Sequence, residues 1–180
     1  MENQDLESLR YPIGKFQVPE TISERQIKDW IDALERYPQR LRDLVVALSN
    51  EQLATPYRPG GWTVRQLIHH ISDSHHNSYI RFKWALTEEK PLIKVYDEKK
   101  WASLHDSKTA PIAHSLNHLG AIHEKLVFLL RGLERQELKR TFIHPEGNIE
   151  TSLEENIGRY VWHGHHHYTH IANLIQRKGW

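Results

Sequence analysis

Three segments of this chain carry the same helix-opening signature, and each precedes a long stretch of apolar residues at helical spacing. Ser23 with Gln26, Thr63 with Gln66 and Ser152 with Glu155 each place a hydroxyl three residues before a side chain able to reach back. After the first come Ile27, Trp30, Ile31, Leu34, Leu41, Leu44, Val45 and Leu48, with Pro38 expected to kink or divide the helix. The second opens a stripe of Val64, Leu67, Ile68, Ile71, Phe82 and Leu86 that runs to about Thr87. The third leads to about Lys178, where Gly179 is a natural stop. A further long helix fits residues 111–131 before Gly132, with a turn or two more over 133–140.

Between these segments the residue types change. Residues 55–61 (Thr-Pro-Tyr-Arg-Pro-Gly-Gly) are a loop by turn chemistry, and residues 144–148 are a turn between two short extended pieces. Residues 88–110 are mixed and charged, a crossover with a short helix near 98–104. The first twenty residues carry two prolines and no periodicity, and read as an extended arm. Four amphipathic segments that bury one stripe each imply an all-α four-helix bundle. It has an N-terminal extended arm and a long crossover between its second and third helices. At 180 residues, 1–180 is expected to be a single domain.

Histidine is the compositional anomaly: there are 14 in 180 residues, five of them between positions 163 and 170. Flanked by Tyr160, Val161, Ile171, Leu174 and Ile175, this run belongs to the last helix. Residues four apart on a helix lie one turn apart and roughly 40° round the axis. His163 and His167 therefore present two imidazoles side by side, a pair suited to a divalent transition metal. A third ligand must come from another helix. The second long helix offers His69, His70 and His75 (with His76), and the helical wheel leaves the choice open. His75 lies nearest the apolar stripe and reads as a core histidine, while His69 and His70 flank it. Asp73, one turn beyond both, can orient an imidazole or simply face solvent. His114, His118 and His123 read as structural or exposed.

Composition excludes several classes. No cysteine means no disulfide, no thiolate nucleophile and no cysteine-held zinc. With 24 Lys and Arg against 23 Asp and Glu, nothing suggests nucleic acid or an anionic membrane as partner. No apolar stretch is long enough to span a bilayer, and an acidic, polar N-terminus is unlike a signal peptide, so a cytoplasmic protein is expected.

These residues resemble the DinB-like superfamily, and within it the YfiT type. The likeness rests on Gly61-Trp62-Thr63-Val64-Arg65-Gln66-Leu67-Ile68-His69-His70 and on His163-Gly-His-His-His167. Tyr11-Pro12-Ile13-Gly14, Asn77-Ser78-Tyr79-Ile80-Arg81-Phe82-Lys83 and Tyr96-Asp97-Glu98-Lys99 extend it over nearly the whole chain. The resemblance implies a homodimer of four-helix bundles with one zinc- or nickel-type divalent ion per chain. Its ligands would be His70, His163 and His167. Many relatives carry Gln where this chain has His170, so His170 or Asp73 is left to complete the shell, support it or pack.

Three imidazoles leave coordination positions open, as in catalytic metal sites. Members of the YfiT type are commonly described, provisionally, as metal-dependent hydrolases, in which the metal activates water. Others in the superfamily resemble transferases of low-molecular-weight thiols such as bacillithiol. The third reading is a non-enzymatic metal-binding stress-response module. A small-molecule substrate is expected for either enzyme. No residue stands out as general base: Glu154, Glu155, Asp73 and the spare histidines are the candidates. No His-Glu-x-x-His or Gly-x-Ser-x-Gly motif is present, which disfavours a metalloprotease or a serine-triad enzyme.

Overall fold

The computed structural model describes the chain from Glu2 to Trp180, with side chains from Leu6 onward. The N-terminal arm begins as a helix, α1 (Glu2–Arg10), because these polar residues include no proline or glycine to stop it. From the turn that Gly14 closes back onto Tyr11, the arm is extended, as its prolines require.

The capping signatures mark true helix starts. Thr63 opens α4 (Val64–Thr87) and Ser152 opens α9 (Leu153–Lys178) with reciprocal capping boxes. Ser23 opens α2 (Glu24–Val45) by accepting from the Gln26 N–H alone. Gly179 stops α9 in the left-handed conformation, and α7 (Ile112–Arg131) ends at Gly132. Short helices α3 (Asn50–Leu53), α5 (Glu98–Trp101), α6 (His105–Thr109) and α8 (Arg135–Leu138) fill the connections. The two extended pieces pair as an antiparallel hairpin, β1 (Thr141–His144) with β2 (Ile149–Ser152).

Pro38 does not divide α2, which runs unbroken through it. A proline has no N–H to offer the carbonyl four residues back, so Leu34 loses its helical partner. The Nδ1–H of His123, from α7, donates to that carbonyl instead, at 2.6 Å. The helix survives because the side chain of another helix satisfies the orphaned acceptor.

In the bundle, α2 and α4 each pack against both α7 and α9, so α2 and α4 stand at opposite corners. Cross-helix contacts fix the directions. Arg42 meets Asn117 while Arg131 meets Glu35, so α2 and α7 are antiparallel. Ser78 meets Asn156 while His75 meets His163, so α4 and α9 are antiparallel too. His69 meets Ser115 while His75 meets His123, which makes α4 and α7 parallel. Parallel neighbours oblige residues 88–111 to return the length of the bundle. The long crossover follows from that need.

The core falls into two apolar lobes. One gathers Ile31, Leu34, Phe82, Leu126, Leu153 and Ile157; the other Leu41, Val45, Leu67, Ile71, Leu119 and Ile171. Between them, in sequence along each helix, lie the buried histidines His75, His123, His167 and the partly exposed His163. A polar layer through a bundle core costs desolvation that aliphatic side chains would not. Its presence points to function.

Candidate metal centre and its cavity

Neighbouring histidines on α4 face different ways. His69 is turned to α7, where its ring nitrogens meet Ser115 Oγ at 2.7 Å and the Ala110 carbonyl at 3.2 Å. His76 lies against His118. His70, one residue along from His69, faces α9: its ring centre is 5.4 Å from that of His163 and 5.0 Å from that of His167. One nitrogen from each of His70, His163 and His167 lies within 4.8 Å of the others, close enough to hold a metal ion. A second group that meets the same test, His166 with His167 and His170, shares His167 with the first.

The hydrogen bonds around these rings separate the two groups. The Leu34 carbonyl can only accept, so His123 carries its proton on Nδ1. A neutral His123 then accepts through Nε2 from His75 Nδ1–H at 2.8 Å. His75 in turn accepts through Nε2 from His163 Nδ1–H at 3.3 Å. His163 Nε2 is left as a bare lone pair. A shorter chain acts on His167. The His170 Nε2–H donates to the Arg10 carbonyl at 3.2 Å, and His170 Nδ1 lies 3.3 Å from His167 Nδ1, which then carries the proton. His167 Nε2 is also left bare. Both chains end on a backbone carbonyl and both aim an imidazole lone pair in the form that metals require. His170 has a partner at each nitrogen, His167 at one and the Arg10 carbonyl at the other.

Burial keeps the rings neutral. It pulls His123 down to about 4 against the weak opposing effect of its bond to Leu34. His70 is drawn to about 4 by burial, then by His166. His75, His163 and His167 are held well below the usual imidazole range by burial and then by neighbouring histidines, His70 among them in each case. Neutral imidazoles in matched tautomers are the donor set that a divalent transition metal fits.

A cavity of about 650 Å³ opens onto His70, His166 and His167. Its walls come from distant parts of the chain. The arm contributes Arg10 and Tyr11, pinned as Trp162 Nε1–H donates to the Gly14 carbonyl at 3.3 Å. The loop before α4 contributes Tyr57 and Trp62. Its turn needs Gly60, at φ +65°, and brings the Trp62 indole to 4.7 Å from the His70 ring. The crossover contributes Tyr96 and the hairpin His144.

Most acidic residues considered from sequence are committed elsewhere. Glu155 caps its own helix by accepting from the Ser152 N–H at 3.1 Å, and Glu154 pairs with Arg135 at 2.5 Å. Asp73 makes no side-chain hydrogen bond to an imidazole among the described residues. Burial and nearby Asp106 push it up to about 6. His166 is different: its Nδ1 is buried and has no hydrogen-bond partner among the described residues, and its ring is stacked 4.7 Å from Trp162. Of the other histidines, His75 is the core residue its periodicity predicts, and His123 is structural, as expected, but wholly buried. Arg81, Tyr96 and His144 carried no spacing signal that would mark them as cavity residues.

The model for the DinB superfamily matches residues 33–171. Over 173 residues the chain is 51% identical to a Bacillus subtilis protein named "Putative metal-dependent hydrolase YfiT", covering 96% of this chain and 97% of that one. A similarly named protein of Oceanobacillus iheyensis is 52% identical over 172 residues, covering 95% and 98%. The solved structure of YfiT from Bacillus subtilis, described as having an unusual four-helix bundle topology, superposes with a TM-score of 0.95. It has 51% sequence identity, and the match covers 96% of this chain and 99% of that one.

Proposed function

For a chain that belongs to the DinB superfamily, we propose a metal-dependent hydrolase whose single divalent ion, zinc or nickel, is held by His70, His163 and His167. The observation that carries this reading is the pair of hydrogen-bonded chains that leave lone pairs on His163 and His167, beside His70, where His70 and His167 line an open cavity. Such an ion supplies Lewis acidity at positions that three imidazoles leave free. The protein's own part is to hold the ligands, shape the cavity and handle protons. His75 and His123 keep the His163 ring in its tautomer; His170 and Arg10 do the same for His167. Trp62 and Tyr57 line one wall of the site, with Tyr57 packed 4.3 Å from His170. His166 Nδ1, buried and unpartnered, is the group free to take a proton from an attacking nucleophile.

A purely structural metal site would be closed over by protein, so the cavity favours an enzyme over a binding module. The second reading, transfer of a low-molecular-weight thiol such as bacillithiol, shares the same site. In a chain with no cysteine the thiol would come from outside. A screen of the metal-loaded protein separates the two: esters, amides and phosphoesters in one arm, an electrophile with bacillithiol in the other, and His167→Ala as the blank. Turnover in neither arm above that blank sinks both. Assembly as a homodimer belongs to this reading by family resemblance. No helix among the described residues is long and apolar enough to cross a membrane.

The support given by His75 has its own test. His75→Leu should weaken metal binding about 10–100-fold, as losses of ligand-orienting partners do. His75→Gln, which can accept from His163 and donate to His123, should recover most of it. Competition with a chromophoric chelator measures both. Equal affinities in the Leu and Gln variants would show that His75 merely fills space.

A further inference from the structure

Arg81 is the one buried arginine among the described residues, at 9% exposure. Other arginines at the surface find acceptors: Arg131 reaches Glu35 and Asp32, Arg65 the Ala110 carbonyl, Arg140 the Ala85 and Glu88 carbonyls. Arg81 has no hydrogen bond or ion pair among the described residues, and its Nε is sealed from solvent without a partner. A sealed N–H left without an acceptor is costly, and native interiors avoid it unless something else fills the place. The side chain lines the cavity that opens onto His70, and also a smaller one shared with Asn156, whose Oδ1 is unpartnered too.

The cavity around it is weighted toward cations. Arg10, Arg58, Arg81 and Lys99 line it against Glu98 and the exposed Glu146, and neither carboxylate pairs with Arg81. Hydroxyls line the same cavity: Ser74 donates to the Tyr160 hydroxyl at 3.4 Å, and Tyr96 stands in the wall beside them. On α4, Arg81 is eleven residues beyond His70. That places it on nearly the same face, roughly 16 Å further along the axis. Side chains on a helix lean toward its N-terminus, which for Arg81 is the direction in which His70 lies.

We propose that Arg81 anchors the anionic group of the substrate, a carboxylate or phosphate on a small elongated molecule whose reacting end lies over His70, His163 and His167. This rests on the reading of that cavity as the substrate site. Arginine presents a planar fork that such an anion can bridge with two charge-assisted hydrogen bonds. The neutral walls of Tyr96 and Tyr160 leave the charge otherwise unanswered. Neutral esters and amides are then poor substrates, and acids with the scissile bond several atoms from the charge are good ones.

The test is an NMR titration of succinate, inorganic phosphate and neutral succinamide into the metal-free and metal-loaded protein. It is run in wild type, Arg81→Met and Arg81→Lys, with circular dichroism and metal content recorded for each. Succinate or phosphate, but not succinamide, should bind wild type with or without metal. Arg81→Met should weaken that binding about tenfold or more, with Arg81→Lys between the two. Succinate against phosphate tells which anion is preferred. In wild type, the Nε–H resonance of Arg81, identified by its loss in Arg81→Lys, should move as the anion saturates. That readout stands even if Arg81→Met fails to fold. Equal binding in wild type and Arg81→Met, binding that needs the metal alone, or an unmoved Nε–H signal overturns the assignment. If anions bind through Arg81 and the hydrolase screen shows no turnover, the catalytic reading fails alone. Turnover indifferent to substrate charge defeats only the Arg81 proposal.

Discussion

Replacing His167 with alanine should abolish stoichiometric metal binding while leaving the helical content in place. Two of three ligands cannot hold a divalent ion at the strength of the set, and His167 also links His170 and the arm to the centre. The expected loss exceeds the roughly 100-fold typical of removing an orienting partner, because the ligand itself goes. The bundle should survive. His167 lies in the polar layer between the two apolar lobes, and neither lobe counts it among its packed side chains. Metal analysis after dialysis and far-ultraviolet circular dichroism measure the two halves separately. One equivalent of metal retained by a folded His167→Ala would remove His167 from the ligand set and shift attention to His166 and His170. Loss of both metal and helix would mean that the ion is an organiser of the fold.

What could be read before any coordinates were known was what lies within a few residues. The capping signatures at Thr63 and Ser152, the stops at Gly132 and Gly179, and the pairing of His163 with His167 on one helical face are all local. Where the reading failed or stalled, the deciding partner was far away in sequence. Pro38 is expected to kink or divide α2, yet the helix is undivided, and the Leu34 carbonyl that the proline orphans is satisfied by His123, 89 residues further along the chain. Of His69, His70, His75 and His76, the first meets Ser115 and Ala110, the third His123 and His163, and the last His118, while His70 faces His163 and His167. Helix α1 has no apolar stripe wide enough to show in periodicity. Arg81 appeared only as one letter of a family motif, since nothing along α4 says that the position opposite it lacks an anion. The cavity depends on the arm, the loop at Gly60, the crossover and the hairpin meeting at one end of α4. No single window of the sequence contains that convergence.

The same histidine layer should make the metal-free protein sensitive to acid. His123 has its folded pKa pulled by burial to about 4, against about 6.5 for an unhindered imidazole. A lowered histidine pKa means that, between these values, the unfolded chain binds a proton that the folded chain refuses. Stability is therefore complete above pH 6.5 and lost as pH falls through the window toward 4. Each such group contributes a slope of up to about 1.4 kcal/mol per pH unit, or about 3 kcal/mol across the window for His123. His70, drawn to about 4 by burial and then by His166, adds a similar amount. Together they rival the net stability of an ordinary domain, about 5–15 kcal/mol. Urea unfolding of the metal-free protein followed by circular dichroism should show the unfolding free energy falling steeply from pH 7 to pH 5. His123→Gln can still donate to the Leu34 carbonyl and accept from His75, yet cannot titrate. It should flatten the slope by about one proton's worth, near 1.4 kcal/mol per pH unit. Bound metal should not flatten it, since it holds its ligands unprotonated in the folded state while the unfolded chain still takes up protons. An unfolding free energy that stays level between pH 7 and pH 5 would mean that water reaches these rings, and that the layer does not hold its tautomers as the hydrogen-bond chains require.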